Sequence, residues 1–203
     1  MATSGQERDL ERLINFSDAV VAIAITLLVL PLLDLADELG PLADLLSDGG
    51  SRIMVFFITF VVVASFWLNH REIFEGVDRG TETLTWLNVL WLMTIAFLPF
   101  PTEVLGVRGP DTGAVRALYV GSLLACSVAQ LLLSIAIMRT PRLWRDGRRP
   151  EFSLNASAVS AGLFAVIFVV ATFVPAIGLW ALMGLFLLRP ITGWLDHRGG
   201  VTG

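Results

Sequence analysis

The residue with the clearest chemistry is Asp18, an acid placed near the beginning of a long apolar run. A carboxylate in a segment that can cross a membrane is energetically expensive, and it indicates a functional site or a network with a bonding partner. Three side chains at the same depth of the apolar runs are candidate partners, namely Arg12, His70 and Asn88. This set predicts a hydrogen-bonded network that joins three helices, and gating or proton sensing by the same network is the second interpretation.

A second pattern lies on the same segment, on the opposite side of the helix from Asp18. At about 100° per residue, one narrow face carries large apolar residues and ends in a carboxylate. Thr26 borders this face, whose other members are Phe16, Ala19, Ile23, Leu27, Leu30 and Asp34. Apolar faces of this kind usually contact lipid or a neighbouring helix, so periodicity alone leaves the role of this one open.

Six apolar runs must position these residues. A soluble domain carries about 25% charged residues, whereas this chain has 16% charged and 55% hydrophobic residues and a mean hydropathy of +0.75. This composition excludes a soluble enzyme, a nucleic-acid-binding module and a disordered chain. A membrane-spanning helix needs about 20 apolar residues, and the predicted spans are residues 16–35, 53–74, 84–105, 114–138, 154–174 and 177–191.

These runs do not alternate in polarity as the strands of a membrane barrel do. We therefore predict an all-α, polytopic membrane protein with six transmembrane helices and a single domain over residues 1–203. Pro99 and Pro101 are expected to end the third helix, since proline cannot continue the hydrogen-bond ladder.

The distribution of arginine sets the expected orientation. All 14 basic residues are arginine, and only Arg52, Arg108 and Arg116 lie outside if the N-terminus is cytoplasmic. Because basic residues are enriched on the cytoplasmic side, we predict that both termini are cytoplasmic and that the chain lies in the inner (plasma) membrane. The arginine-rich linker 139–149 is expected to touch anionic lipid headgroups.

Three segments carry a resemblance to a known family. The first is Arg12-x-x-x-Phe16-Ser17-Asp18 followed by the apolar residues 22–30, the second is Trp67-x-x-His70, and the third begins at Leu87-Asn88 and ends in Pro-Phe-Pro-Thr at residues 99–102. In this order and spacing, residues 12–102 resemble the transmembrane protein 175 family, the potassium channels of endolysosomes and their prokaryotic relatives.

The resemblance implies that the first helix lines a pore. By position, the constriction is formed by Ile23, Leu27 and Leu30, with Thr26 as a neighbouring hydroxyl layer. The chain has the Phe-Ser-Asp motif once, whereas animal members carry it twice and form dimers, so the resemblance implies a homotetramer of six-helix subunits. Asp34 would then form an acidic ring at the outer mouth, where it would concentrate cations.

The expected function is therefore passive, potassium-preferring cation conduction through a lipid bilayer. Neither an enzymatic activity, a cofactor, a nucleic-acid partner nor a metal centre beyond the permeating K⁺ is expected. The alternative is a proton-coupled or proton-permeable transporter that uses Asp18 and His70. The structural or gating network is expected to comprise Arg12, Phe16, Ser17, Asp18, His70 and Asn88.

Overall fold

A computed structural model describes residues 3–39 and 49–173 of the chain. These residues form seven α-helices and no β-strand; two short 3₁₀ turns, Pro141–Leu143 and Arg145–Gly147, separate the last two helices. The predicted sixth span, residues 177–191, lies outside the described residues. The helices are α1 (Thr3–Leu27), α2 (Leu30–Leu39), α3 (Gly50–Glu75), α4 (Glu82–Phe97), α5 (Pro99–Arg108), α6 (Gly113–Met138) and α7 (Leu154–Phe173).

Five helical segments among the described residues are long and apolar enough to cross a membrane. Each overlaps one of the first five predicted spans and extends at least 19 residues, which is close to the roughly 20 residues that a bilayer requires. The all-α class and the first five spans are therefore confirmed. The segments are Gly5–Asp34, Gly50–Glu75, Glu82–Arg108, Gly113–Met138 and Leu154–Thr172.

The first segment is interrupted between α1 and α2. Pro31 has no N–H group and cannot bond to the carbonyl of Leu27, four residues earlier. The backbone tightens just before this point, where Leu28 N–H donates to Ile25 O at 3.3 Å and Val29 N–H donates to Thr26 O at 3.2 Å. Helical phase is consequently not continuous from α1 into α2.

The third segment agrees only in part with the expected effect of Pro99 and Pro101, because α4 ends at Phe97 but a second helix follows it. Helix α4 ends at Phe97, Leu98 is its C-cap, and α5 begins at Pro99 and continues to Arg108. Proline fits the first turn of a helix, where its missing N–H has no intrahelical acceptor to lose. Thr102 strengthens the restart, because its Oγ1 donates to Leu98 O at 2.7 Å. The prolines therefore divide the span into α4 and α5 without ending its helical course.

Helix α6 lies at the centre of the described bundle and packs against α7, α4 and α5. Polar side chains join its middle to α3, since Gln130 Nε2 donates to Phe66 O at 2.9 Å and Tyr119 Oη lies 2.8 Å from Thr59 Oγ1. Interhelical hydrogen bonds of this type contribute on average about 0.6 kcal/mol within a membrane protein. They fix the rotation of α6 relative to α3.

A buried arginine joins α6 to the end of α7. Arg116 is only 5% exposed, and its Nε donates to Ala171 O at 2.6 Å while its guanidinium also bonds to Pro110 O. A guanidinium has five N–H donors, so it can bond to both carbonyls. Arg116 therefore connects the beginning of α6, the preceding loop and Ala171 of α7.

Candidate functional site

Helix α1 has one face that packs inside the subunit. Its buried residues are separated by three, four or seven positions, as a packed helical face requires, and all are at most 5% exposed. This face contacts mainly α3 and α4. Its members are Leu10, Ser17, Val21, Ala24 and Leu28.

The opposite face of α1 is uncovered within the subunit. Ile23 is 60% exposed, Phe16 57% and Leu27 39%, and Leu30 at the start of α2 is 50% exposed. These are the residues that the periodicity placed on one stripe. We call Phe16, Ile23, Leu27 and Leu30 the exposed stripe of α1.

Thr26 and Asp34 lie beside and beyond the exposed stripe, and both are exposed. Thr26 Oγ1 donates its proton to Ile23 O at 2.8 Å, which leaves the hydroxyl lone pairs available to accept. Asp34 lies in α2, past the break at Leu28 and Val29. Because of this break, Asp34 is not held in helical phase with Ile23, although its carboxylate is exposed.

A buried polar network joins α1, α4 and α3. His70 Nε2 donates to Asn88 Oδ1 at 2.7 Å, Asn88 Nδ2 donates to Ser17 Oγ at 2.8 Å, and Ser17 Oγ donates to Leu13 O at 2.8 Å. A carbonyl oxygen only accepts, so each donor in this chain points the same way, from α3 towards α1. We call Ser17, Asn88 and His70 the polar network.

The polar network is enclosed by aromatic rings. Its three side chains are at most 1% exposed. The His70 imidazole stacks on Trp91 with centroids 4.1 Å apart and an interplanar angle of 11°, and it lies 4.5 Å from the Phe74 ring. These contacts fix the imidazole plane, and therefore the direction in which Nε2 points to Asn88.

Asp18 takes a different partner, on α3. Its Oδ1 accepts a hydrogen bond from Trp67 Nε1 at 2.7 Å. The Arg71 guanidinium lies 5.2 Å from the centroid of the same Trp67 ring, within the range of a cation–π contact. The indole therefore lies between the carboxylate and the guanidinium and contacts both.

The expected partners of Asp18 were thus wrong in detail. His70 and Asn88 bond to each other and to Ser17, while Arg12 is exposed and forms no ion pair within the described part of the chain. Ser17 and Asp18 are consecutive, so about 100° of helix rotation separates their side chains and directs them to different neighbours. That rotation, together with the indole N–H donor of Trp67, was the signal available in the sequence.

Phe16 was expected both on the apolar stripe and in the network. It is 57% exposed and lies on the exposed stripe, so its assignment to the network was wrong. Among the described residues, no cluster of three or more His, Cys, Asp or Glu side chains could hold a metal ion.

Comparison with known proteins places this arrangement in a family. The family described as the endosomal/lysosomal potassium channel TMEM175 matches residues 12–99, a range that contains the exposed stripe and the polar network. A potassium channel of Chamaesiphon minutus is 32% identical over 78% of this chain and 75% of its own length. A potassium channel of Streptomyces collinus is 40% identical over 44% of each chain.

A longer relative and a solved structure extend the comparison. The human endosomal/lysosomal proton channel TMEM175 is 27% identical over 93% of this chain, which spans only 40% of the human protein. The crystal structure of a lysosomal potassium-selective channel TMEM175 homolog from Chamaesiphon minutus superposes with a TM-score of 0.71 at 27% identity, over 90% of this chain and 98% of that one. The chain therefore belongs to the TMEM175 family of membrane cation channels.

Proposed function

We propose that the chain forms a passive, potassium-preferring cation channel whose pore is lined by the exposed stripe of α1. One observation carries this proposal. Large apolar side chains on α1 are uncovered, directly opposite a face whose polar groups are fully bonded inside the subunit. The stripe is therefore open to lipid, to other subunits or to a pore, and the potassium-channel relatives favour the pore.

The chemistry of the stripe supports selection by dehydration. In a symmetric assembly, Ile23, Leu27 and Leu30 would form rings without oxygen atoms to replace the hydration shell of an ion. Hydrophobic constrictions of this kind gate by dewetting. K⁺ loses less than Na⁺ on shedding water, so the constriction favours K⁺ modestly, and Thr26 hydroxyls offer lone pairs beside it.

A homotetramer of six-helix subunits is the assembly that we propose. This chain spans 40% of the human relative, so the longer protein has room for two such units where this chain supplies one. Four copies would place four α1 helices around one axis. Both termini would be cytoplasmic, residues 1–203 would form one domain, and the channel would lie in the inner (plasma) membrane.

Proton permeation is the second candidate function. It is favoured by the human relative, which is named a proton channel, and by the unidirectional hydrogen bonds from His70 through Asn88 to Ser17. A coupled transporter built on Asp18 and His70 is less well supported. Asp18 bonds to Trp67, while His70 bonds to Asn88.

Recording of the purified protein in planar bilayers tests the proposal. We expect discrete unitary currents with a flux far above about 10³ ions per second, the upper range of a typical catalytic cycle. In a K⁺/Na⁺ gradient the reversal potential should be shifted from zero towards the equilibrium potential of K⁺. Currents without unitary steps that saturate at a transporter rate would contradict a channel, and a reversal potential that follows the pH gradient would favour proton permeation.

A further inference from the structure

The segment that joins α6 to α7 is folded against the connection between α3 and α4. Asp78 N–H donates to Leu143 O at 2.9 Å, and Arg145 N–H donates to Gly76 O at 3.0 Å. Between them, Val77 and Trp144 form an isolated antiparallel bridge. Val77 and Leu143 are at most 2% exposed. We call residues 139–150 the linker platform.

Side chains and close packing hold the linker platform in place. Asp78 Oδ1 accepts from Arg145 Nε at 3.0 Å, and Asp78 Oδ2 accepts from Asp146 N–H at 3.0 Å. Pro150 lies so close to Gly76 that a Cβ at residue 76 would be 2.7 Å from the Pro150 Cβ. The segment therefore has a defined position at the end of the bundle and does not hang freely from α6.

The linker platform presents four arginines to its surroundings. Arg145 is paired with Asp78, whereas the other four are exposed and form no ion pair with the residues that the structure describes. Guanidinium groups bind phosphate through two parallel N–H donors. These four are Arg139, Arg142, Arg148 and Arg149.

The position of the platform favours a lipid as the source of that phosphate. Two membrane-spanning helices border it directly, since α6 ends at Met138 and α7 begins at Leu154. Trp144 anchors it there, because its Nε1 donates to Ile137 O at 2.9 Å. Indole rings are enriched at the headgroup level of membranes. The four arginines are thus held where headgroups lie.

We propose that the linker platform is a binding site for the phosphate headgroups of anionic lipids. The platform holds the connection between α3, which carries His70, and α4, which carries Asn88. Anionic lipid on the platform would therefore stabilise the arrangement of the two helices that contribute to the polar network. The proposal does not depend on which residues line the pore.

Native mass spectrometry of the full chain in detergent tests the proposal with phosphatidylglycerol and phosphatidylcholine as probes. The wild type should bind phosphatidylglycerol saturably and phosphatidylcholine weakly. One arginine near an anionic surface raises the affinity roughly fivefold. Replacing all four exposed arginines of the linker platform by Gln should therefore weaken phosphatidylglycerol binding about tenfold or more. Replacing the same four arginines by Lys keeps the charge, so the phosphatidylglycerol affinity of that variant should stay within about fivefold of wild type.

A second pair of variants separates the folded site from simple charge. Gly76→Ala keeps every arginine but displaces Pro150, so it should also weaken phosphatidylglycerol binding about tenfold. Gly80→Ala, with nothing within 4 Å of the added Cβ, should bind as wild type. If Gly76→Ala does not fold, Asp78→Asn removes the contacts to Arg145 and Asp146 N–H without steric conflict. Charge alone would then raise the affinity for phosphatidylglycerol, because Arg145 is released. A lower affinity in this variant therefore reports loss of the folded site.

Three results would overturn the proposal. The first is unchanged phosphatidylglycerol affinity in the Gln variant. The second is unchanged affinity in a folded Gly76→Ala variant, or unchanged or higher affinity in Asp78→Asn, either of which would reduce the effect to net charge. The third is displacement of the lipid by an equal concentration of inorganic phosphate, which would indicate a site for soluble anions.

Discussion

At the scale of single residues, Asn88 holds the polar network together because it is both donor and acceptor. Its Oδ1 accepts from His70 and its Nδ2 donates to Ser17, and its side chain is fully buried. No water reaches these groups within the subunit. Loss of the amide would leave the buried polar groups on two neighbouring helices with fewer partners.

Asn88→Leu should therefore destabilise the subunit. The His70 Nε2–H would lose its acceptor, and a buried polar group left unsatisfied costs about 1–3 kcal/mol. Ser17 would lose one donor but keep its bond to Leu13 O. Thermal unfolding followed by size-exclusion chromatography should show a lower melting temperature. Asn15→Leu is the matched control, because Asn15 is exposed on α1; equal melting of the two variants would contradict the role given to Asn88.

The Asp18–Trp67 hydrogen bond predicts a stability effect that is separate from selectivity. Asp18→Asn and Trp67→Phe each weaken or remove this 2.7 Å contact, and hydrogen bonds to charged groups contribute about 1.5–3 kcal/mol. Both variants should melt earlier and assemble in lower yield, while their K⁺/Na⁺ reversal potential stays at the wild-type value. His70→Ala should behave in the same way.

The control for this pair is Trp86→Phe, since Trp86 is 65% exposed. The double variant Asp18→Asn/Trp67→Phe should melt no lower than the worse single variant, because both changes remove one interaction. A well-assembled Asp18→Asn protein with normal melting and altered selectivity would show that the carboxylate acts on the ion and not on the fold.

At the scale of elements, the two interrupted helices decide where charged groups lie. The hydrogen bonding of α1 is interrupted before Pro31, so Asp34 belongs to α2, a separate short helix. Asp34 remains exposed. A ring of four such carboxylates at a pore mouth would enrich cations locally.

Asp34→Asn is predicted to lower the inward K⁺ current in dilute salt. The deficit should shrink in concentrated salt, because the Debye length falls from about 20 Å at about 20 mM to about 4 Å at about 500 mM. The test is the ratio of variant to wild-type current at these two KCl concentrations. A ratio that is the same at both would mean that Asp34 does not act on the permeating ion.

The membrane spans could be predicted from hydropathy, whereas the breaks within them and the contacts between them could be predicted only in part. Runs of apolar residues report burial in lipid, which depends on composition alone. The restart of the helix at Pro99 depends on Thr102 bonding back to Leu98. The linker platform depends on residues 76–78, which are far away along the chain. Tertiary contacts of this kind leave no periodic signal.

The same limit explains the network residues. The sequence identified Ser17, Asp18, His70 and Asn88 because polar side chains are rare in apolar runs. It did not pair them correctly, since pairing depends on how α1, α3 and α4 are rotated against one another. The aromatic enclosure of His70 by Trp91 and Phe74 is a tertiary feature as well.

At the scale of the whole molecule, α1 occupies the edge of the described bundle. It packs mainly on α3 and α4, while α6 and α7 lie on the other side of those helices. The subunit therefore presents α1 outward with its large apolar side chains uncovered. Assembly through this edge would bring the α1 helices of several copies together, which is the arrangement that a central pore requires.

The central claim, that α1 forms the constriction, is tested most directly by placing one polar side chain on its exposed stripe. Leu27→Asn would hydrate an apolar ring and remove the barrier that dewetting imposes. The control is Leu132→Asn on α6, because Leu132 is 40% exposed and Leu27 is 39% exposed, so both changes introduce the same group at equal exposure.

The decisive measurement is the unitary conductance and reversal potential of both variants in a K⁺/Na⁺ gradient. For Leu27→Asn we predict a conductance raised by about twofold or more and a reversal potential shifted towards zero, as a wetted and less selective constriction requires. Leu132→Asn should match the wild type in both quantities. Wild-type conductance and selectivity in Leu27→Asn, or equal changes in the two variants, would contradict a constriction on α1.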